Sequence, residues 1–348
     1  MACAWSTSGA RAPPGGSACA RAEHPPREGP VSPEWGRPGR PGGGGSVGTG
    51  QSARVARSGG ERVLVGTYVR ELLLGASHEI EGAAARARES GTSDAYDPEL
   101  TRLLRVSLRR VRYQLAALSA VEPTLKTRGV RRRLAEISEP FGALRDAQVL
   151  EDVVRDALGA RRRRGDGKRI LKHARRERRR AERPVRRALD AGASVTALTV
   201  LDDYRRGLPF QIWLLGDAEP LARKALAATF RDLARAAKRA KKRPSDKRLH
   251  ELRIEAKRAM YVARGFAELL GPRVEVLAER LSDLQSTLGR QHDHVNVAGW
   301  LRRLGRERRG LRRRAGRLAR EESRRAAKEA RRWRDLWKSA EKAAARAL

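Results

Sequence analysis

An all-α fold built from two related helical bundles is what this sequence predicts, and three observations carry it. From about Glu61 onward apolar residues recur at three- and four-residue spacing, Ala, Leu and Arg dominate, and alternating β-branched runs are scarce. Breakers interrupt this pattern at Gly91 to Pro98, Pro123, Gly159 to Gly167, Gly207 to Pro209, Pro244 and Gly271-Pro272, which divides the region into about eight helices. A nine-residue stretch then repeats: Arg105-Val106-Ser107-Leu108-Arg109-Arg110-Val111-Arg112-Tyr113 returns as Arg253-Ile254-Glu255-Ala256-Lys257-Arg258-Ala259-Met260-Tyr261, 253 − 105 = 148 positions later.

Taken in order, residues 1–60 are rich in Gly, Pro, Arg, Ala and Ser and cannot bury enough apolar surface to offset their ordering entropy, so a disordered leader is expected. A start read as valine near Val63 or Val65 would exclude that leader from the native protein. Residues 61–206 and 207–348 are the two expected repeats, each of about four helices, the smallest number that buries such stripes comfortably. The repeated helices share their entry signals: Asp97-Pro98 supplies an N-cap and first-turn proline, and Ser245 stands as N-cap at the same offset. Their apolar stripes also match. Leu104, Leu108, Val111, Leu115 and Leu118 correspond to Leu252, Ala256, Ala259, Ala263 and Phe266. A second landmark follows each one, Phe141-Gly142-Ala143-Leu144-Arg145-Asp146 and then Leu288-Gly289-Arg290-Gln291-His292-Asp293.

The charge points to a partner. Lys and Arg number 77 against 41 Asp and Glu, a net +36, which works against any compact state through self-repulsion and favours a strongly anionic ligand. On the first repeated helix Arg102, Arg105, Arg109 and Arg112 fall on one stripe, with Arg110 on the other flank and Tyr113 at its end. On the second, His250, Arg253, Lys257 and Arg264 occupy the equivalent stripe, joined by Tyr261, with Arg258 on the flank. Acids are expected to be missing from these stripes. Two such helices facing each other would line a central groove or pore in which a linear polyanion displaces counterions. His250, titrating near neutral pH, would add a proton-dependent increment.

The run His250-Glu251-Leu252-Arg253-Ile254-Glu255-Ala256-Lys257-Arg258, with Tyr261 and the segment ending at Asp293, resembles the CHAD family, the conserved histidine α-helical domain. The resemblance covers about residues 61–345. It implies a pseudo-symmetric pair of four-helix bundles and binding of inorganic polyphosphate along a basic central surface, often at polyphosphate granules. The first copy departs from the pattern, since the family's histidine position falls on Arg102, which makes the charge permanent. No strand-rich segment for a fused CYTH barrel occurs, so a stand-alone module is expected.

Other function classes fit less well. No uninterrupted apolar run is long enough for a membrane span. No secretory signal is visible, and the only cysteines, Cys3 and Cys19, lie in the leader, so a cytoplasmic protein without a disulfide framework is expected. Aromatic residues make up 4%, which weakens recognition of single strands by stacking and leaves nonspecific nucleic-acid binding as the alternative. Trp213, Trp300, Trp333 and Trp337 read as core or groove-edge anchors. His292-Asp293-His294 cannot direct three adjacent side chains at one ion, and structural roles are expected for them. No catalytic constellation, metal site or cofactor motif stands out, so a noncatalytic binder is expected, with metal-dependent polyphosphate processing as the weaker rival.

Overall fold

The computed structural model describes residues 62–89, 97–160, 165–208 and 212–348. The expected leader, with Cys3, Cys19, Trp5 and Trp35, lies outside the described residues. Among them the chain forms nine α-helices: α1 (Val65–Glu89), α2 (Pro98–Val121), α3 (Arg128–Leu158), α4 (Gly165–Asp190), α5 (Ala193–Arg206), α6 (Ala218–Lys242), α7 (Asp246–Leu270), α8 (Pro272–Glu307) and α9 (Arg312–Ala347). Short 3₁₀ turns precede α6 (Ile212–Leu215) and α9 (Arg309–Leu311). The fold is all-α, and the extended contact among these residues is a single bridge between Leu64 and Asp217.

The helix starts follow local chemistry. The Asp97 carboxylate accepts from the Leu100 amide at 2.6 Å and Pro98 opens α2. The Ser245 hydroxyl accepts from the Arg248 amide at 3.3 Å at the start of α7. Gly192, at φ +75°, separates α4 from α5, a break inside a continuous Ala-rich pattern. Gly271, at φ +87°, ends α7, and Pro272 begins α8.

Both repeated stripes are buried. Leu104, Leu108, Val111, Leu115 and Leu118 on α2, and Leu252, Ala256, Ala259, Ala263 and Phe266 on α7, all pack inside. They belong to one cluster that also takes in α1, α3, α5, α6, the first half of α8 and the end of α9. A smaller second cluster joins Val154 and Leu158 of α3, Ile170, Leu171 and Ala174 of α4, Val297, Leu301 and Leu304 of α8, and Leu311, Ala315, Leu318 and Ala319 at the start of α9. The core is therefore divided differently from the sequence boundary at 206/207, because each cluster draws on both halves. Trp333 and Trp337 are core residues, Trp337 stacking on Phe230 with ring centroids 5.5 Å apart, while Trp300 packs against the smaller cluster.

Two buried acids tie long helices together. Glu151 of α3 accepts from Arg155 at 2.6 Å and from Arg178 of α4 at 2.8 Å. Glu322 of α9 accepts from Arg325 at 3.0 Å and from His294 Nδ1 of α8 at 2.6 Å. A buried carboxylate without such partners would be costly. At the contact of α2 and α7 the backbone comes close. A Cβ on Gly265 would stand 1.2 Å from Nε2 of the buried Gln114, and the Gly265 carbonyl accepts from the Tyr68 hydroxyl at 3.0 Å. Gly265→Ala is therefore expected to destabilise the fold by about 1–3 kcal/mol through overpacking. Urea denaturation followed by far-UV circular dichroism measures this. Gln114→Ala in the same chain should recover most of the loss, and no recovery would place the strain elsewhere.

Candidate anion-binding site

The stripe residues do not share one environment. On α2, Arg102 is exposed and pairs with Glu99 one turn earlier, 2.7 Å away. The expectation that acids are missing from the stripes fails at this point, because Glu99 lies three residues from Arg102 on the same face. Arg110 turns toward α1 and pairs with Glu79 at 2.8 Å. Arg258, at the matching position of α7, lies 3.7 Å from Asp232 on α6 and 3.9 Å from Glu255. Arg112 donates to the Ser138 hydroxyl at 3.3 Å, and the exposed Arg264 to that of Ser282 at 3.0 Å.

The remaining cations converge. Arg105 is 8% exposed, although it is an arginine. Burial and the neighbouring Arg109 and Arg145 pull its guanidinium down to about 10, with Tyr261 and Asp146 acting the other way. Lys257, half-buried on the facing helix, is pushed down to about 7 by burial and by Arg253, Arg109 and Arg105, against the opposing charge of Asp146. Two basic stripes from sequence positions 148 apart thus act on one another directly. Between them Tyr113 and Tyr261 meet with ring centroids 5.7 Å apart. Burial pushes the Tyr113 hydroxyl up despite Arg109 and Arg112. The buried Nε atoms of Arg253, Arg258 and Arg131 have no hydrogen-bond acceptor among the described residues.

The second landmark of each repeat completes the cluster, which sequence reasoning did not place there. Arg145 and Asp146 come from α3, and His292 and Asp293 from α8. Burial raises the Asp293 carboxyl, with Asp146 adding to the effect and Arg253 and Arg145 opposing it. Asp146 and Asp293 also line one edge of a cavity of about 470 Å³ between α3, α4 and α8, with Arg180 and Arg303 on its rim. Arg131 of α3 faces Arg258, which together with burial lowers its guanidinium. The only sequence signal for these residues was the repetition of the landmark itself.

The histidines differ from expectation. His250 Nδ1 lies 3.3 Å from His292 Nδ1, and the rings are 4.5 Å apart. Asn296 Nδ2 reaches His292 Nε2 at 3.0 Å. Donation by Asn296 leaves the His292 proton on Nδ1, from which it is shared with His250. Burial, Arg253 and Lys257 lower His250, which works against the proton-dependent increment anticipated from sequence. His292 is pushed down to about 4 by burial, Arg253 and His250. His292 and His294 point to different partners, His250 and Glu322. Among the described residues no group of three or more His, Cys, Asp or Glu is placed to hold a metal ion.

The sequence signature of the CHAD domain matches residues 82–302, more than half of the chain. No curated protein matches it. Among solved structures the chain is similar to the crystal structure of the CHAD domain from the plant Ricinus communis, at 19% identity and a TM-score of 0.60, covering 80% of this chain and 92% of that one. It is also similar to PptA from Streptomyces chartreusis, at 17% identity and a TM-score of 0.63, covering 79% of this chain and all of that one. At these identities the likeness is one of fold.

The histidine pair sets a stability prediction. With its folded value near 4 and an ordinary value of 6.5, the neutral His292 ring contributes stability that is present above about pH 6.5 and is lost as pH falls through about 4. Replacing His292 by Asn is expected to shrink the drop in urea midpoint between pH 7 and pH 4.5. An equal drop in both proteins would assign the acid sensitivity to other groups.

Proposed function

The chain belongs to the CHAD family, and from that premise we propose that it binds inorganic polyphosphate, without catalysis, on the cationic surface shared by α2 and α7. The observation that carries this reading is the convergence of Arg105 and Arg109 of α2 with Arg253 and Lys257 of α7, close enough for the α2 arginines to depress the ionisation of Lys257. Repulsion of this size is relieved by a ligand that carries several negative charges at short spacing. Arginine forks bind phosphate oxygens in pairs, and nothing in the cluster reads a base.

In this reading α2 and α7 are the duplicated helices of two related bundles, and their basic faces line a common groove. Among the described residues 61–206 has five helices where four were expected, and 207–348 has four. Arg105, Arg109, Arg253 and Lys257 hold the phosphate chain at its centre. Arg102, Arg112, His250 and Arg264 extend the path, while Arg110 and Arg258, held by Glu79 and Asp232, steady the flanks. Tyr113 and Tyr261 donate hydrogen bonds. The protein acts in the cytoplasm, at polyphosphate granules. No helix among the described residues is long and apolar enough to cross a membrane.

One observation favours a second reading, nonspecific binding of nucleic acid. Around the smaller core, Lys168, Arg169, Lys172 and Arg176 of α4 face outward beside Arg306, Arg308, Arg309, Arg313 and Arg317 at the turn from α8 to α9. These cations are spread out and hydrated, which suits the wider phosphate spacing of a duplex.

Two measurements separate the readings. Replacing Arg105 and Arg253 together by Ala should weaken long-chain polyphosphate binding and flatten its dependence on log[salt] by roughly one to two units, as expected on losing two phosphate contacts. Unchanged affinity in the folded double variant would move the site elsewhere. At equal phosphate concentration, long-chain polyphosphate should displace duplex DNA. The reverse result favours nucleic acid, and phosphate release on adding Mg²⁺ or Mn²⁺ would restore an enzymatic function.

A further inference from the structure

The start of α8 and the end of α9 form a second basic groove, which shares no residue with the α2–α7 surface. Arg273, Val276 and Arg280 stand at i, i+3 and i+7 on α8, and Ser339, Lys342 and Arg346 stand at the same spacing on α9. Each trio therefore occupies one helix face. The two helices pack along each other, and the trios line a common cavity of about 740 Å³ whose remaining lining is alanine. No acid lines it: Glu275, Glu279 and Glu341 belong to the same segments but stand off the cavity. Asp283, one turn beyond Arg280, approaches that arginine only to 3.9 Å. Among the described residues Arg273, Lys342 and Arg346 form no ion pair. A solvated helix face ordinarily mixes its charges, so four cations facing one another across a concave surface are an unbalanced arrangement.

We infer that this groove is a second anchor for a phosphate chain. The class of ligand rests on the polyphosphate reading, whereas the groove itself stands on its own geometry. Its walls are fixed from behind, because Val274 and Leu277 of α8 and Ala343 and Ala347 of α9 belong to the main buried cluster. Arg223 of α6 donates to the Ala347 carbonyl at 3.1 Å. That bond ties down the last turn of α9 and covers a carbonyl whose negative pole would oppose an anion. Arg273 lies in the first turn of α8, at the positive end of that helix. The seven-residue reach of each trio is about 10 Å, which suits a linear anion charged at every unit better than a single phosphate. Arginine forks and the Lys342 ammonium supply charge-assisted donors, and the Ser339 hydroxyl supplies a neutral one.

The two anchors are well separated. His292 of α8 touches His250 of the α7 stripe, 3.3 Å away, and so marks the first site on α8. From there Arg280 and Arg273 lie about 18 and 28 Å along the helix at 1.5 Å per residue. An oligophosphate of three units cannot reach both anchors, but a long chain can. Once one anchor holds a long chain, the other engages it intramolecularly, which raises the affinity for long chains without any new contact at the first site.

The test is calorimetric titration of the full chain with inorganic tripolyphosphate and with long-chain polyphosphate. Tripolyphosphate is expected to bind in two steps. Arg273→Ala, Lys342→Ala and Arg346→Ala together remove only exposed side chains, and circular dichroism checks that the fold is kept. This variant should lose one tripolyphosphate step and bind long-chain polyphosphate roughly tenfold or more weakly. A control variant, Arg324→Ala with Lys328→Ala and Arg331→Ala, removes the same charge from exposed positions of α9 outside the groove and should keep both steps. Both steps surviving in the groove variant, or an equal loss in the control, would overturn the inference. So would a single step in the unsubstituted protein that Arg105→Ala with Arg253→Ala abolishes, and the polyphosphate reading of the α2–α7 surface would then stand. If the groove variant loses a step and the Arg105 and Arg253 pair loses none, the groove is upheld and the α2–α7 reading falls. Absence of binding to either phosphate in the folded protein would overturn both.

Discussion

Cations placed side by side and partly withdrawn from water repel one another, and this repulsion is the constraint on which the rest of the structure depends. Arg105 and Lys257 are held on helices that must pack together, and both are ionised less readily than in water. The cost is carried by the apolar faces beneath them. Every residue of the α2 and α7 stripes is buried, and each leucine removed from water contributes about 1.5–3 kcal/mol. The two helices are thus held in place from behind, and the cations on their front faces have no freedom to drift apart.

Acids are distributed so as to limit the repulsion without cancelling it. Glu79 and Asp232 lie on the outer helices α1 and α6 and hold the flanking Arg110 and Arg258. Glu99 holds Arg102 at the open end of α2. Within the cluster, neutral polar groups separate the charges: the Tyr113 and Tyr261 rings at the centre and the His250–His292 pair beside Arg253. Asp146 and Asp293 stand at the rim, next to a cavity. This arrangement keeps the centre positive.

Much of the fold could be read from the chain. Asp97 and Ser245 were recognisable as caps because an N-cap is a local hydrogen bond between a side chain and an amide three residues on. The breaks at Gly192 and near Arg308 were harder to see. The first lies in an Ala-rich run and the second between two helices of the same composition, so neither changes the local pattern. The basic stripes were legible as positions, and Arg145, Asp146, His292 and Asp293 were visible only as a repeated motif. Their membership of the site depends on α3 and α8 crossing the helices that carry the stripes. The halves of the sequence did not foretell the two buried clusters either, since which helices share a core is settled by packing between segments far apart in the chain.

By itself the sequence determined the all-helical architecture, the helix starts at Asp97 and Ser245, the inward faces of α2 and α7 and the excess of positive charge. These follow from periodicity, capping and composition, which are properties of neighbouring residues. Only the tertiary structure decided which of those charges remain in force. Arg102, Arg110 and Arg258 acquired acidic partners, while burial and neighbouring cations lowered His250 and His292. Lys257 came to the edge of losing its proton. The reason is physical. Charge state depends on desolvation and on distances between side chains of different helices, and neither quantity exists until the helices have packed.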